Sequence, residues 1–270
     1  AGLIGMVVGS MVLAPLADKF GRRPILLLSV AFSAVGLAVS GFSTTSEILA
    51  FSRILTGLGV GGILVGTNVI TSEYSSKKWR SFAISVYAAG FGIGAMIGGI
   101  IAKSLQAAYS WHAVYFAGAA MTAVVFVVLW ILLPESIDYF NSKQPQNAKA
   151  RLNKIAHKLG FAGEWELTTK AEKAAVKLPV AELFSKKYLR STLLLWLSFF
   201  AIMFCFYFIS SWTPALLKEA GMTMEESINV GMMISLGGAA GSLVYGLIAS
   251  RWSARSVLML FTVASSIAIV

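Results

Sequence analysis

The sequence predicts an all-α membrane protein, and three observations carry that prediction. Hydrophobic residues make up 57% of the 270 residues and charged ones only 13%, with a mean hydropathy of +0.77, a balance far from that of a water-soluble domain. The apolar residues come in long unbroken runs, without a barrel strand's alternation, and in lipid a helix satisfies the backbone of such a run by itself. One segment also returns: GSMVLAPLADKFGRRPILLL at residues 9–28 is matched 232 positions later by GSLVYGLIASRWSARSVLML at residues 241–260. Each copy joins the end of one apolar run to the start of the next, so the duplication keeps the membrane period.

The runs occupy roughly residues 1–17, 24–41, 47–72, 81–102, 113–133, 191–217, 227–250 and 257–270. Most approach the roughly 20 residues a helix needs to cross hydrocarbon. Between the first and second lie Lys19, Arg22 and Arg23; after the third come Lys77, Lys78 and Arg80; the segment after the fifth holds Lys143, Lys149, Arg151 and Lys154; Arg251 and Arg255 divide the last two. These are alternate connections, and the ones between them hold Glu47, Lys103, and Lys218 among Glu219, Glu225 and Glu226. Basic loops gather on the cytoplasmic side, so the net charge of +10 reflects topology and gives no reason to expect a nucleic-acid partner.

If residues 241–260 repeat residues 9–28, the run at 191–217 needs a counterpart ahead of residue 1. Six helices per half follow, and the expected whole is a twelve-helix protein of which this chain is a fragment. Residues 1–133 are then an N-terminal half lacking its first helix, 134–190 a central cytoplasmic loop, and 191–270 the truncated start of a C-terminal half. Within the loop, Ala148, Leu152, Ile155 and Leu159 recur at helical spacing among Lys149, Arg151, Lys154 and Lys158, with Gly160 as a stop. That pattern predicts a basic amphipathic helix at the inner membrane surface; a plain tether between the halves is the other reading.

Cys205 is the single cysteine, and His112 and His157 lie far apart, so neither an intrachain disulfide nor a usual metal spacing is present and no metal or cofactor is expected. No catalytic constellation suggests an enzyme. Gly57, Gly59 and Gly62 satisfy GxGxxG, but that fingerprint needs a preceding strand, and here it falls inside a long apolar run. Close helix packing explains these glycines better, and is expected also at Gly90, Gly94 and Gly98.

Arg53 stands out on physical grounds. It lies about two turns inside an apolar helix, where a charge costs up to roughly 2.5–3.5 kcal/mol, so it should face a polar cavity or an ion-pair partner. Gly57, Leu64 and Asn68 fall within about 60° of it around the helix. A guanidinium can hold a carboxylate through two parallel hydrogen bonds; pairing with an acid on the absent first helix is the alternative. Glu73, at the cytoplasmic end of the same helix, is placed to approach the loop holding Asp18, Arg22 and Arg23, where these charges either gate the protein or are solvated. Phe200, Tyr207, Ser211 and Pro214 share a face of the run at 191–217. An aromatic ligand could stack there, with Tyr207 and Trp212 as candidates, although such residues also serve as packing and interfacial anchors. Pro214 near the outer end could bend that helix.

LADKFGRRPIL at 16–26 resembles the signature loop between the second and third helices of the major facilitator superfamily, and RILTGLGVGG at 53–62 its fourth-helix motif. TSEY at 71–74, WHAVYFAG at 111–118, LPES at 133–136 and YFISSWTPALL at 207–217 together resemble the aromatic acid:proton symporters. Two positions depart from the pattern: Ala14 stands where the loop motif usually begins with glycine, and His112 where an arginine commonly follows the tryptophan. The resemblance implies a twelve-helix major facilitator fold with two six-helix halves, in the bacterial plasma membrane. It implies proton-coupled symport of an aromatic carboxylate by alternating access, with that acid, protons and the lipid bilayer as partners. It associates the fourth-helix arginine, Arg53, with proton coupling and substrate binding, and the Asp18, Arg22, Arg23 and Glu73 charges with an inner-side gating network. A superfamily member carrying sugars or non-aromatic organic acids, or a non-transporting receptor on the same scaffold, are the alternatives.

Overall fold

The computed structural model describes residues 1–144, 147–158 and 180–269, and all regular structure among them is helical. Five long helices come first: α1 (Gly2–Phe20), α2 (Arg22–Gly41), α3 (Ser46–Glu73), α4 (Arg80–Ala108) and α5 (Trp111–Leu132). Two short ones follow, α6 (Ile137–Lys143) and α7 (Ala148–Lys158). A 3-10 turn at Val180–Phe184 leads to α8 (Leu189–Glu219), α9 (Met224–Ala249) and α10 (Ala254–Ile269). Each predicted apolar run coincides with one of the long helices. Among the described residues, seven helices are long and apolar enough to cross a membrane, and α10 adds a shorter apolar stretch, Arg255–Ile267. The protein is an integral membrane protein.

Two compact units divide the chain, one of residues 1–167 with 239–270 and the other of residues 168–238. In the first, α3 is the central element, packed on α1 and on α2, while α2 also packs on α5. Glycine makes these approaches possible. A side chain added at Gly5 or Gly9 of α1 would run into the backbone of Ile54 or Leu58 on α3, and one at Gly57 or Gly61 would strike the backbone of Gly2 or Met6 on α1. The opposite edge of α3 meets α2 through Gly59 and Gly62, which lie on Ser29 and Ser33. The GxGxxG glycines are thus used for packing, as expected. Serine fills the polar demand of the seam: Ser40 and Ser52, both fully buried, share a hydrogen bond of 2.8 Å.

Two sequence expectations need correction. Gly90, Gly94 and Gly98 on α4 face open space among the described residues; near the start of α4, Gly246 of α9 lies on Ser85. The apolar face of α7 is also not free for lipid. Ala148 and Leu152 are buried with Phe140 of α6, and Ile155 packs on them, so α6 covers what the amphipathic pattern offered to the membrane. Leu159 and Gly160 lie outside the described residues.

In the second unit, α8 is helical throughout from Leu189 to Glu219, including position 214. Its rings form a ladder at four-residue spacing, Phe200 on Phe204, Phe204 on Phe208 and Phe208 on Trp212, with centres 6.1–6.4 Å apart. Thr223 and Glu226 start α9 with a reciprocal cap: Glu226 Oε2 accepts from Thr223 N at 2.9 Å and Thr223 Oγ1 accepts from Glu226 N at 3.2 Å, the capping-box arrangement. The Thr223 donors hold the Glu226 carboxyl below its usual range.

Candidate functional site

A single residue, Gly21, separates α1 from α2. It takes φ 107° and ψ 148°, a region that glycine enters without strain and other residues do not. A side chain there would also meet Glu135 Oε2 at 2.7 Å. The bare backbone leaves room for Glu135, beyond the end of α5, to reach the start of α2. Its Oε1 accepts from the backbone N–H of Arg22 at 2.8 Å and Arg23 at 3.0 Å, and from its neighbour Ser136 N at 3.0 Å. The first amides of a helix have no intrahelical partner, so a carboxylate there is a charge-assisted cap. Tyr74, just past α3, donates its hydroxyl to the Glu135 carbonyl at 2.7 Å. Burial, and secondly the Glu135 charge, push the Tyr74 phenol up to about 12, which keeps it protonated and donating at neutral pH.

Glu73, the last residue of α3, does two things at once. Its Oε1 forms an ion pair with Arg22 Nη1. Its Oε2 accepts from Ser136 Oγ at 2.7 Å and Ile137 N at 3.1 Å, capping α6. Ser136 is itself fully buried and its hydroxyl accepts from Tyr139 N at 3.1 Å. The turn between α1 and α2, the end of α3 and the segment joining α5 to α6 are therefore tied together by two carboxylates. Arg22 also meets Asp18 at 3.3 Å, but the Asp18 side chain is 71% exposed against 7% for Glu73. An exposed pair one helical turn apart contributes about 0.3–0.5 kcal/mol, whereas removing one partner of a buried pair costs about 3–5 kcal/mol. Glu73 is the strong partner of Arg22 and Asp18 the weak one. Arg23 turns away from both and donates through Nη2 to the Trp130 carbonyl at 2.6 Å.

The charges read from the sequence as one group thus split, Arg22 with Glu73 and Asp18, Arg23 with α5. Glu135 and Tyr74, which carry much of the network, sit in the LPES and TSEY segments; the signal was the acidic residue after a helix-stopping proline, with no partner visible nearby in sequence.

Arg53 and Asn68 are both exposed on α3. The helix is unbroken between them, so at 1.5 Å per residue they stand about 22 Å apart along its axis. One single-ring acid cannot touch both. The space expected beside Gly57 is filled by the α1 backbone at Gly2, while Leu64 is exposed. The Arg53 guanidinium carbon lies 5.6 Å from the centre of the Tyr115 ring, and among the described residues no carboxylate pairs with Arg53. An apolar cavity of about 420 Å³ between α2, α3 and α5, lined by Leu26, Val30, Ile63, Ile70, Met121 and Val125 among others, includes none of the candidate residues and no charged group. It offers a carboxylate no cation, only the hydroxyls of Thr67 and Thr122.

In the other unit, Tyr207 and Trp212 are exposed on α8, about 140° apart around the helix. Tyr207 meets Phe206 edge-on at 5.5 Å, and Trp212 closes the ring ladder on Phe208. The structure describes the helical backbone at Ser211 and Pro214 but not their side chains. His112, in place of the usual arginine, stacks on Trp111 at 3.6 Å and presents Nε2 to the Ser43 carbonyl at 3.2 Å. A hydrogen bond stands there, tying α5 to the connection between α2 and α3.

The chain is 31% identical over 261 residues to the gallate transporter of Pseudomonas putida, covering 96% of this chain and 58% of that protein. It is 31% identical over 272 residues to the 4-hydroxybenzoate transporter PcaK of Acinetobacter baylyi, covering 99% of this chain and 59% of that protein, and 26% identical to the benzoate transport protein of the same organism over 95% of this chain and 56% of that protein. The chain therefore spans a little under three-fifths of the length of these relatives. Its fold superimposes on a crystal structure of a double-tryptophan mutant of XylE with a TM-score of 0.73 at 14% identity, over 93% of this chain and 58% of that one. The profile of the Major Facilitator Superfamily matches residues 1–270, and with its helices, its repeated turn and its relatives in agreement, the chain belongs to that superfamily.

Proposed function

We propose that the full-length protein is a proton-coupled symporter of an aromatic carboxylate that works by alternating access. The observation that carries the substrate class is the similarity, over nearly all of this chain, to proteins named as transporters of gallate and 4-hydroxybenzoate. Arg53 is the proposed partner of the substrate carboxylate: it is a cation inside an apolar helix with no acid paired to it among the described residues, and its planar fork matches a carboxylate at two points. Asn68 is too far along α3 to share that ligand and is proposed to act elsewhere on the path. On α8, Tyr207 and Trp212 are proposed ring contacts, each by itself. The network of Arg22, Glu73 and Glu135, with Asp18 at its rim and Arg23 beside it, is the proposed cytoplasmic gate, closed when the outer side is open. No enzymatic step is proposed.

The substrate class is tested by uptake of labelled 4-hydroxybenzoate into cells producing the full-length protein, with unlabelled competitors. Benzoate-type acids should compete and their uncharged amides should compete poorly. Competition by sugars or aliphatic acids with none by aromatic acids would select the alternative carriers, and the absence of any uptake in correctly inserted protein would select a receptor.

A further inference from the structure

We propose that Tyr115 is the positioning residue of Arg53, its ring face holding the guanidinium so that the N–H edge stays directed at a carboxylate. The substrate side of this statement rests on the function proposed above. The separation of 5.6 Å lies within the roughly 6 Å reach of a cation–π interaction. The two residues come from different helices, Arg53 seven residues into α3 and Tyr115 four residues into α5, so the contact is tertiary and not a consequence of local spacing.

The kind of partner matters. A carboxylate neutralises a guanidinium through its in-plane N–H groups, the same groups that a substrate carboxylate needs. A ring attracts the cation through the quadrupole of its face and leaves those N–H groups available. Tyr115 can thus hold Arg53 without competing with an acid for it. The ring is held in turn. Trp111 meets it edge-on at 5.8 Å and 89°, Trp111 stacks on His112 at 3.6 Å, and His112 Nε2 donates to the Ser43 carbonyl at 3.2 Å. Ser43 belongs to the connection that leads into α3, so the chain of contacts starts where α3 begins and returns to the arginine that α3 carries.

The test uses the reconstituted full-length protein and two independent readouts. In uptake of labelled 4-hydroxybenzoate, Tyr115→Leu should raise KM between about twofold and thirtyfold, the range to which the usual strength of a cation–π contact corresponds. Tyr115→Phe, which keeps the ring face, should restore most of the loss. Competition by the uncharged amide should be unchanged in Tyr115→Leu, because the amide does not use the arginine's charge. Equal losses for acid and amide, or a Phe variant as impaired as the Leu variant, would overturn the positioning role. The second readout needs no substrate: the melting temperatures of Arg53→Gln, Tyr115→Leu and the double variant. A direct contact predicts that the double variant melts little below the lower single variant, whereas additive losses would overturn the contact. If the unaltered protein takes up no aromatic acid, the proposed function has failed, and the melting cycle still decides whether Tyr115 holds Arg53.

Discussion

Arg22 has two acidic neighbours, and burial decides which of them matters. Glu73→Gln leaves a nearly buried guanidinium without its counter-charge, and is expected to slow turnover at least about tenfold while substrate affinity stays nearly intact. Asp18→Asn removes an exposed pair and should change turnover by less than about twofold. Rates from initial uptake at saturating substrate check the order, and the reverse order would mean that Asp18 carries the gate. Asp18, Arg22, Arg23 and Glu73 were legible in the sequence because they stand in or beside recognisable turn motifs. Glu135 was legible only as an acid after a helix-stopping proline, because the amides it caps lie 113 and 112 positions away and nothing local names them as its partners. Tyr74 gives a pH test. Its phenol is raised from 10.0 to about 12, so the stability it contributes is complete below pH 10 and fades as pH rises toward 12. Tyr74→Phe should lower the melting temperature at pH 7, and the gap from the unaltered protein should narrow above pH 10. A gap that widens with pH would contradict the donor role.

At the scale of elements, the helix seams rest on missing side chains. Gly9→Ala would drive a methyl group into the Leu58 backbone, and because backbone cannot rotate aside the two helices must separate. A loss of about 1–3 kcal/mol is expected, read as an earlier thermal transition in detergent; an unchanged transition would show that the α1–α3 crossing is looser than described. The existence and order of the long helices were legible because lipid demands continuous apolar length. Their ends were less so: α4 continues past Lys103 to Ala108, since polar residues at a span's end still make helical hydrogen bonds. The repeat was legible as sequence, but its two turns differ. Gly21 alone joins α1 to α2, whereas residues 250–253 join α9 to α10, and Ser253 Oγ accepts from Ser256 N at 3.2 Å. Where the first copy has Asp18 and Arg22, the second has Ser250 and Ala254, so the Asp18–Arg22 pair has no counterpart in the second copy. The amphipathic pattern of α7 is legible as a helix; that its apolar face meets α6 is not, because periodicity reports that a face is buried and not against what.

For the whole molecule, the proposed function requires coupling, with one aromatic carboxylate moving together with protons down their gradient. With one proton per monovalent acid the transported charge is zero, so membrane potential contributes nothing and each pH unit supplies about 1.36 kcal/mol. More protons would add about 2.3 kcal/mol per charge for each 100 mV. The direct measurement is accumulation of labelled 4-hydroxybenzoate by the full-length protein in proteoliposomes, with an inward proton gradient of about one unit imposed and the potential clamped at zero. Coupled uptake should give accumulation, up to about tenfold inside over outside for one proton per acid, collapsing when a protonophore is added. Equal concentrations on both sides, reached at the same rate with and without the gradient, would contradict it.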